Sequence, residues 1–193
     1  NIRVYKTDDN GASWTKVFTP EDPPWNYPSV GMKGDVTKAE ALEVCPYNSN
    51  IVMAGYYLGD SLKGGLFYSL DEGASWSQQL LEGTVDGEDV DVHDIIFNLE
   101  GSDTVAYVGV EYDLAYPTGR SVYRLVKNGT SWTVGQDMDP AHTTSGSVIV
   151  VTIKDLNFNA GGDTLFACGT DAGVNEPHVY YKDLLVTNKW SSL

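Results

Sequence analysis

From about Ala41 onward, short apolar runs alternate with polar, glycine-rich breaks, and the runs come in sets of four. The first set reads ALEVCP, NIVMAGYYL, GGLFYSL and SWSQQLL. The second reads VDVHDIIFN, TVAYVGVEY, SVYRLV and SWTVGQ, and the third SVIVVTIKDLNFN, TLFACGT, HVYYKDLL and KWSSL. Each run is rich in β-branched and aromatic residues and is bounded by Gly, Asn, Pro or Asp, which is how strands read. Two runs alone, IRVYKT and SWTKVF, precede these sets, and they match the last two strands of a set. No stretch sustains a 3.6-residue apolar period over ten or more residues; VTKAEALEVC comes nearest. The pattern predicts an all-β chain of two strands followed by three groups of four.

A second periodicity lies over the first. TDDNGASW (Thr7 to Trp14) and SLDEGASW (Ser69 to Trp76) place a hydroxyl residue, Asp, Gly and Trp at identical spacing. LVKNGTSW keeps Gly129 and Trp132 but has no Asp, and VTNKWSSL keeps little beyond Trp190. The four tryptophans fall 62, 56 and 58 residues apart. A fixed period of this length marks a repeat architecture, and four strands per unit describe the blade of a β-propeller. The expected units are a half blade over 1–20 and blades over 36–82, 90–137 and 147–193. Three and a half blades do not close a ring, so a larger, seven-bladed ring is expected, completed by the remainder of a longer polypeptide. A second copy of the chain would supply only the same outer pair of strands.

The repeated phrase resembles the Asp-box, or BNR repeat, of sialidases, two-domain xyloglucanases, sortilin-type receptors and photosystem assembly factors. The resemblance implies that each phrase is the turn between the third and fourth strands of a blade. Within it, Thr7 and Ser69 open the turn, and Asp9 and Asp71 accept hydrogen bonds from its N–H groups. Gly11 and Gly73 take positive φ. Trp14 and Trp76 cover the gap between neighbouring sheets, burying about 150–250 Å² each. Gly129 and Trp132 form a faded copy. The role implied is structural, and function is implied for the opposite face, built from the connections between blades and the loops between second and third strands.

Those segments are TPEDPPWNYPSVGMKGDVTKAE, LEGTVDGED and DMDPAHTTSGS between blades, and YLGDSLKGG, EYDLAYPTG and TDAGVNEP within them. They carry Trp25, Tyr27, Tyr57, Tyr112 and Tyr116 beside Asp35, Asp60 and Asp113. Aromatic faces beside carboxylates suit sugar rings, whose C–H faces stack while their hydroxyls seek hydrogen-bond partners. The long proline-rich connection holding Trp25 and Tyr27 is the best single candidate, because long unstructured loops are usually functional or disordered.

Charge narrows the partners. A net charge of -15 over 193 residues disfavours nucleic acid and anionic membrane surfaces, which require basic patches. No apolar run approaches the roughly 18 residues of a membrane span. Cys45 and Cys168 sit in apolar runs and read as buried small hydrophobes. Asn128-Gly129-Thr130 fits the glycan acceptor pattern. An extracellular, periplasmic or cell-surface location is expected.

Sharper chemistries find little support. Sialidases cradle a carboxylate with three arginines, and Arg3, Arg120 and Arg124, the full complement here, read as surface residues around third strands. The two-domain xyloglucanases use a pair of Asp carboxylates, the first in a turn after a second strand. GTDAGVNEP resembles that turn at Thr170-Asp171, although Val174 stands where a second Gly belongs and a partner carboxylate is missing. Asp171 is therefore the one catalytic candidate. Asp86, Glu88 and Asp89 invite a calcium reading, but their spacing does not fit an EF-hand loop, and a solvated approach to a strand suits them better. The three histidines lack ligand spacing for zinc, and no phosphate loop or Gly-x-Ser-x-Gly elbow occurs, so no metal or cofactor is expected. The reading is a module binding a glycan or protein, leaning against catalysis by this chain alone. The alternatives are a fragment of a glycoside hydrolase resembling the xyloglucanases, and a structural or assembly protein with no ligand site.

Overall fold

The computed structural model describes residues 3–27, 38–57, 65–81, 91–111, 121–138, 151–171, 176–185 and 190–193. They form one two-stranded and three four-stranded antiparallel sheets, each a simple meander. The first pairs β1 (Val4–Lys6) with β2 (Thr15–Phe18). The second orders β3 (Lys38–Val44), β4 (Val52–Tyr57), β5 (Leu66–Ser69) and β6 (Ser77–Gln79). The third holds β7 (Asp91–Glu100), β8 (Asp103–Glu111), β9 (Val122–Asn128) and β10 (Ser131–Met138). The last holds β11 (Val151–Phe158), β12 (Thr164–Asp171), β13 (Pro177–Asp183) and β14 (Ser191–Ser192).

The sheets stack face against face, and the contacts tighten toward the first strands. Strand β7 packs on β3 and β4, and β11 packs on β7 and β8, so β3, β7 and β11 stand side by side about one axis. The apolar faces meet in three clusters. Val4, Phe18, Ala54, Tyr56 and Phe67 join the first two sheets. Met53, Leu66, Val92, Phe97, Val108 and Trp132 join the next pair, and Val105, Tyr107, Ile153, Leu165 and Trp190 the last. Cys45 lies buried as expected, but Cys168 is only half-buried.

Each inner pair of strands also carries a glycine where bulk would collide. A Cβ on Gly55 in β4 would stand 2.4 Å from Cγ1 of Val92, and one on Gly109 in β8 would stand 2.8 Å from Cγ2 of Ile153. The sheets approach this closely because those positions have no side chain. Gly55→Ala is expected to cost about 1–3 kcal/mol through overpacking, and Val92→Ala in the same chain should recover most of it. A denaturation midpoint that the second substitution fails to restore would refute the side-chain origin of the strain.

The two repeated phrases form the turns β1–β2 and β5–β6 with nearly superimposable bonding. Asn10 and Gly11 have φ of 56° and 90°, and Glu72 and Gly73 have 57° and 89°. Together with the Ala12 N–H to Asp9 carbonyl bond of 3.3 Å, and its 3.1 Å counterpart from Ala74 to Asp71, this is a type I′ turn. The left-handed conformation thus extends to the residue before each glycine. Thr7 Oγ1 donates to Asp9 Oδ1 at 2.8 Å and accepts from the Gly11 N–H at 2.8 Å. Ser13 donates to Asp9 twice, from its N–H at 2.8 Å and its hydroxyl at 2.6 Å. Ser69, Asp71, Gly73 and Ser75 repeat every one of these bonds.

The Ser13 hydroxyl and N–H, with Thr7, draw the Asp9 carboxyl down to about 2, and the Ser75 and Ser69 donors lower Asp71 in the same way. A carboxyl lowered on folding stabilises the fold when ionised. The Asp9 contribution is therefore complete above the ordinary Asp range near 4 and is lost as pH falls toward about 2. Titration of side-chain carboxyl carbons by NMR should give Asp9 a midpoint near 2. A midpoint at the ordinary value would mean that the turn does not hold its donors in solution.

The tryptophans depart from expectation at one position. Trp76 stacks on Phe18 of the preceding sheet, with ring centres 4.5 Å apart and planes 18° apart, and its Nε1–H donates to the Gly73 carbonyl at 3.1 Å. Trp132 stands edge-on to Tyr68, again in the preceding sheet, and retains 5% of its surface. Trp190 retains 3% within the cluster shared with β8 and β9. Trp14 remains 61% exposed. Trp76 and Trp132 each lean on the sheet before their own, and among the described residues no sheet stands before that of Trp14.

Candidate functional site

The second strands of the three four-stranded sheets, β4, β8 and β12, end on one face. Tyr57, Glu111 and Asp171 end those strands and occupy one register position, opposite Lys38, Asp91 and Val151 at the starts of the first strands. Of the residues expected to bind ligand, Asp35, Asp60, Tyr112, Asp113 and Tyr116 lie outside the described residues. So do the calcium candidates Asp86, Glu88 and Asp89. Tyr57 is half-buried, with the Lys38 ammonium 5.4 Å from its ring centre.

Trp25 and Tyr27 take part in packing. The Trp25 ring stands edge-on to Phe18 and Phe67, with centres 5.4 and 5.3 Å away. Tyr27 stands edge-on to Phe67, and its hydroxyl exchanges hydrogen bonds with the Gln78 amide. The proline-rich connection therefore begins by folding back over the junction of the first two sheets. Beneath it Tyr56 is fully buried, and burial pushes its phenol well above the ordinary range.

The chemistry that sequence reading did not anticipate lies at the axis. In β3, β7 and β11 the pairing register slips by one residue, and the extra residues are Glu40, His93 and Lys154. A bulge leaves its extra residue outside the ladder and re-aims the side chain. Here the three meet across three sheets. His93 Nε2 lies 2.7 Å from Lys154 Nζ and 3.3 Å from Glu111 Oε2, and Nδ1 faces Glu40 Oε2 at 3.7 Å. Lys154 Nζ is 3.6 Å from the same Glu111 oxygen. The His93 side chain keeps 7% of its surface, while those of Glu111 and Lys154 keep 49% and 48%. The His93 hydrogen bond, then the Lys154 charge, hold the Glu111 carboxyl below its ordinary value against the opposing effect of burial.

A second, more acidic group lies alongside. Asp94 Oδ2 accepts the Leu156 N–H of the next sheet at 2.6 Å. Burial raises its carboxyl despite that bond, and the nearby Asp155 raises it further. Burial and then Asp94 raise Glu43, and burial followed by Asp155 and Asp94 raises the Cys168 thiol. Among the described residues no group of three or more His, Cys, Asp or Glu suits a metal ion. A separate cavity of about 820 Å³ at the far ends of the third and fourth sheets is lined by Glu100, Arg124, Asp163 and Lys182. Its charges engage one another: Arg124 pairs with Glu100, and the Tyr107 hydroxyl donates to Glu100 Oε1 at 2.6 Å.

The fold, at low sequence identity, is similar to that of a solved structure. The GH74 xyloglucanase from Xanthomonas campestris superposes with a TM-score of 0.61 at 16% identity, over 98% of this chain and 26% of that one. The fold is that of a partial β-propeller. The three four-stranded sheets are blades, the two-stranded sheet is the outer half of another, and β3, β7 and β11 are the innermost strands. The α-L-arabinanase of Penicillium chrysogenum, solved with arabinobiose, gives a TM-score of 0.48 at 14% identity, over 99% of this chain and 58% of that one. The sialidase of Trypanosoma rangeli gives 0.31 at 12% identity, over 86% and 40%. The chain thus spans about a quarter of the xyloglucanase and little more than half of the arabinanase. No protein-family model and no curated protein matches the sequence.

Sequence carried one overlooked signal for the axial residues. Gly55, Gly109 and Gly169 interrupt bulky second strands, and each stands opposite a residue flanking the bulge. A glycine inside a strand pattern marks a bulge or a close backbone approach.

Proposed function

We propose that the chain is part of a secreted or cell-surface β-propeller that binds a glycan through the face where its second strands end. The observation carrying this reading is the convergence of Glu40, His93, Glu111 and Lys154 at the axis, Glu111 at the same strand-end register position as Tyr57. Paired acceptors and donors suit a hydroxyl-rich ligand. The xyloglucanase that shares the fold is named for a glycan, which supports the same class of ligand. On this reading the Thr7–Trp14 and Ser69–Trp76 turns are Asp-boxes with a structural role. The units run over 1–20, 36–82, 90–137 and 147–193, and the remainder of a longer polypeptide completes a seven-bladed ring. Extracellular, periplasmic or cell-surface placement follows from where polymeric glycans occur.

A second reading, a glycoside hydrolase fragment, is favoured by one feature. Asp171 ends its second strand at the register position that Glu111 holds in its own. Incubation of the chain, and of its full-length parent, with soluble plant and bacterial polysaccharides separates the readings. Saturable binding without turnover is the expected result for this chain. Release of reducing sugar would establish the hydrolase, and neither binding nor release would leave a scaffold.

A further inference from the structure

We infer that the axial group of Lys154, Glu111, His93 and Glu40 is a specificity centre that grips a pair of adjacent hydroxyls on a neutral sugar. The inference deepens the glycan reading and rests on it. Each of three blades uses a bulge to send one side chain to the axis, and the three side chains differ chemically: Glu40, His93 and Lys154. Stability does not require this arrangement. Each bulge breaks a ladder, and half-exposed ion pairs such as Lys154–Glu111 contribute little.

The chemistry of the two outermost groups selects the ligand. The ammonium of Lys154 only donates hydrogen bonds and the carboxylate of Glu111 only accepts them, and 3.6 Å separates them. Adjacent sugar hydroxyls place two oxygens within hydrogen-bond distance of each other, and each oxygen both donates and accepts. One hydroxyl can donate to Glu111 Oε2 while its neighbour accepts from Lys154 Nζ, so both ends of the pair are satisfied together. His93 is a positioning residue: it lies below the mouth, its Nε2 2.7 Å from Lys154 Nζ and 3.3 Å from Glu111 Oε2. Glu40 flanks the other ring nitrogen at 3.7 Å.

Other ligand classes fit less well. An anion would meet two carboxylates in a chain of net charge -15. A metal ion would compete with the Lys154 ammonium for the same oxygen, and the described residues offer no suitable ligand set. A neutral polyol meets neither obstacle.

Isothermal titration with soluble xyloglucan, arabinan and galactan oligosaccharides tests the inference on the unaltered chain and on Lys154→Met and Glu111→Gln. The unaltered chain should bind at least one oligosaccharide saturably. Each variant should bind it about ten- to a hundredfold more weakly, the loss typical of a hydrogen bond to a charged group, with its melting temperature unchanged. His93→Gln should weaken binding less. In the unaltered chain the His93 ring nitrogens should shift in the NMR spectrum on saturation, which a purely structural imidazole would not do. If a variant is poorly folded, Lys154→Arg and Glu111→Asp, which keep the charges but displace them, must still weaken binding. Unchanged affinity in folded variants, or an unmoved His93 signal, overturns the specificity centre and leaves the glycan reading intact. Failure of the unaltered chain to bind any of the three overturns the glycan reading, and the inference falls with it.

Discussion

Replacing Trp132 by alanine is expected to lower stability by about 3–5 kcal/mol, the range for truncating a large buried aromatic side chain. The indole keeps 5% of its surface and lies between Tyr68 of the preceding blade and Phe97 of its own, with ring centres 6.4 and 6.3 Å away. Its turn has lost the aspartate and contracted to Gly129 and Thr130 between the paired Asn128 and Ser131. The ring therefore carries the junction without the hydrogen-bonded turn that supports Trp76. Trp14→Ala provides the internal comparison. With 61% of its surface exposed, Trp14 should tolerate alanine within about 0.5 kcal/mol. Denaturant unfolding of the two variants decides the matter, and equal losses would refute the assignment of junction strength to burial.

Gly169→Ala should be nearly as damaging, at about 3 kcal/mol, the upper part of the usual overpacking range. A Cβ there would lie 2.0 Å from the Thr152 carbonyl oxygen and 2.9 Å from its carbon. The obstacle is backbone of the paired strand, so β11 and β12 must part beside the bulge that aims Lys154 inward. Gly55 differs in kind, because its obstacle is the Val92 side chain and truncation relieves it. No single side-chain truncation should rescue Gly169→Ala. A variant with the parental denaturation midpoint would show that the two strands are less closely held than described.

Strand order and the two hairpin turns were legible in the sequence because their causes are local. Alternation sets the faces of a strand, and Thr7-x-Asp9-x-Gly11 contains every group needed to close its own turn. The fate of each tryptophan was not local. Trp14 and Trp76 occupy equivalent places in matching phrases, yet only one has Phe18 in front of it. The packing of Trp25 and Tyr27 was not local either: an aromatic residue in a loop serves equally as a ligand platform or as a lid on Phe67, and composition does not separate the two. The axial residues stayed hidden because a bulge is a slip of one position. Glu40, His93 and Lys154 read as ordinary polar members of first strands, and only the glycines opposite hinted otherwise. Asp35, Asp60, Tyr112, Asp113 and Tyr116 remain expectations from sequence.

The backward lean of the tryptophans gives the array a direction. The first two junctions join unlike surfaces: one blade extends an indole, and the blade before it offers Phe18 or Tyr68 to receive it. Such a contact is heterologous, so two equivalent surfaces cannot satisfy each other, and assembly proceeds head to tail. Head-to-tail assembly ends only when the last surface meets the first; otherwise it continues as an open helix. A surface able to hold Trp14 in the same manner is a receiving face and not a second indole-bearing one. At these junctions a single side chain writes the orientation of one blade on the next.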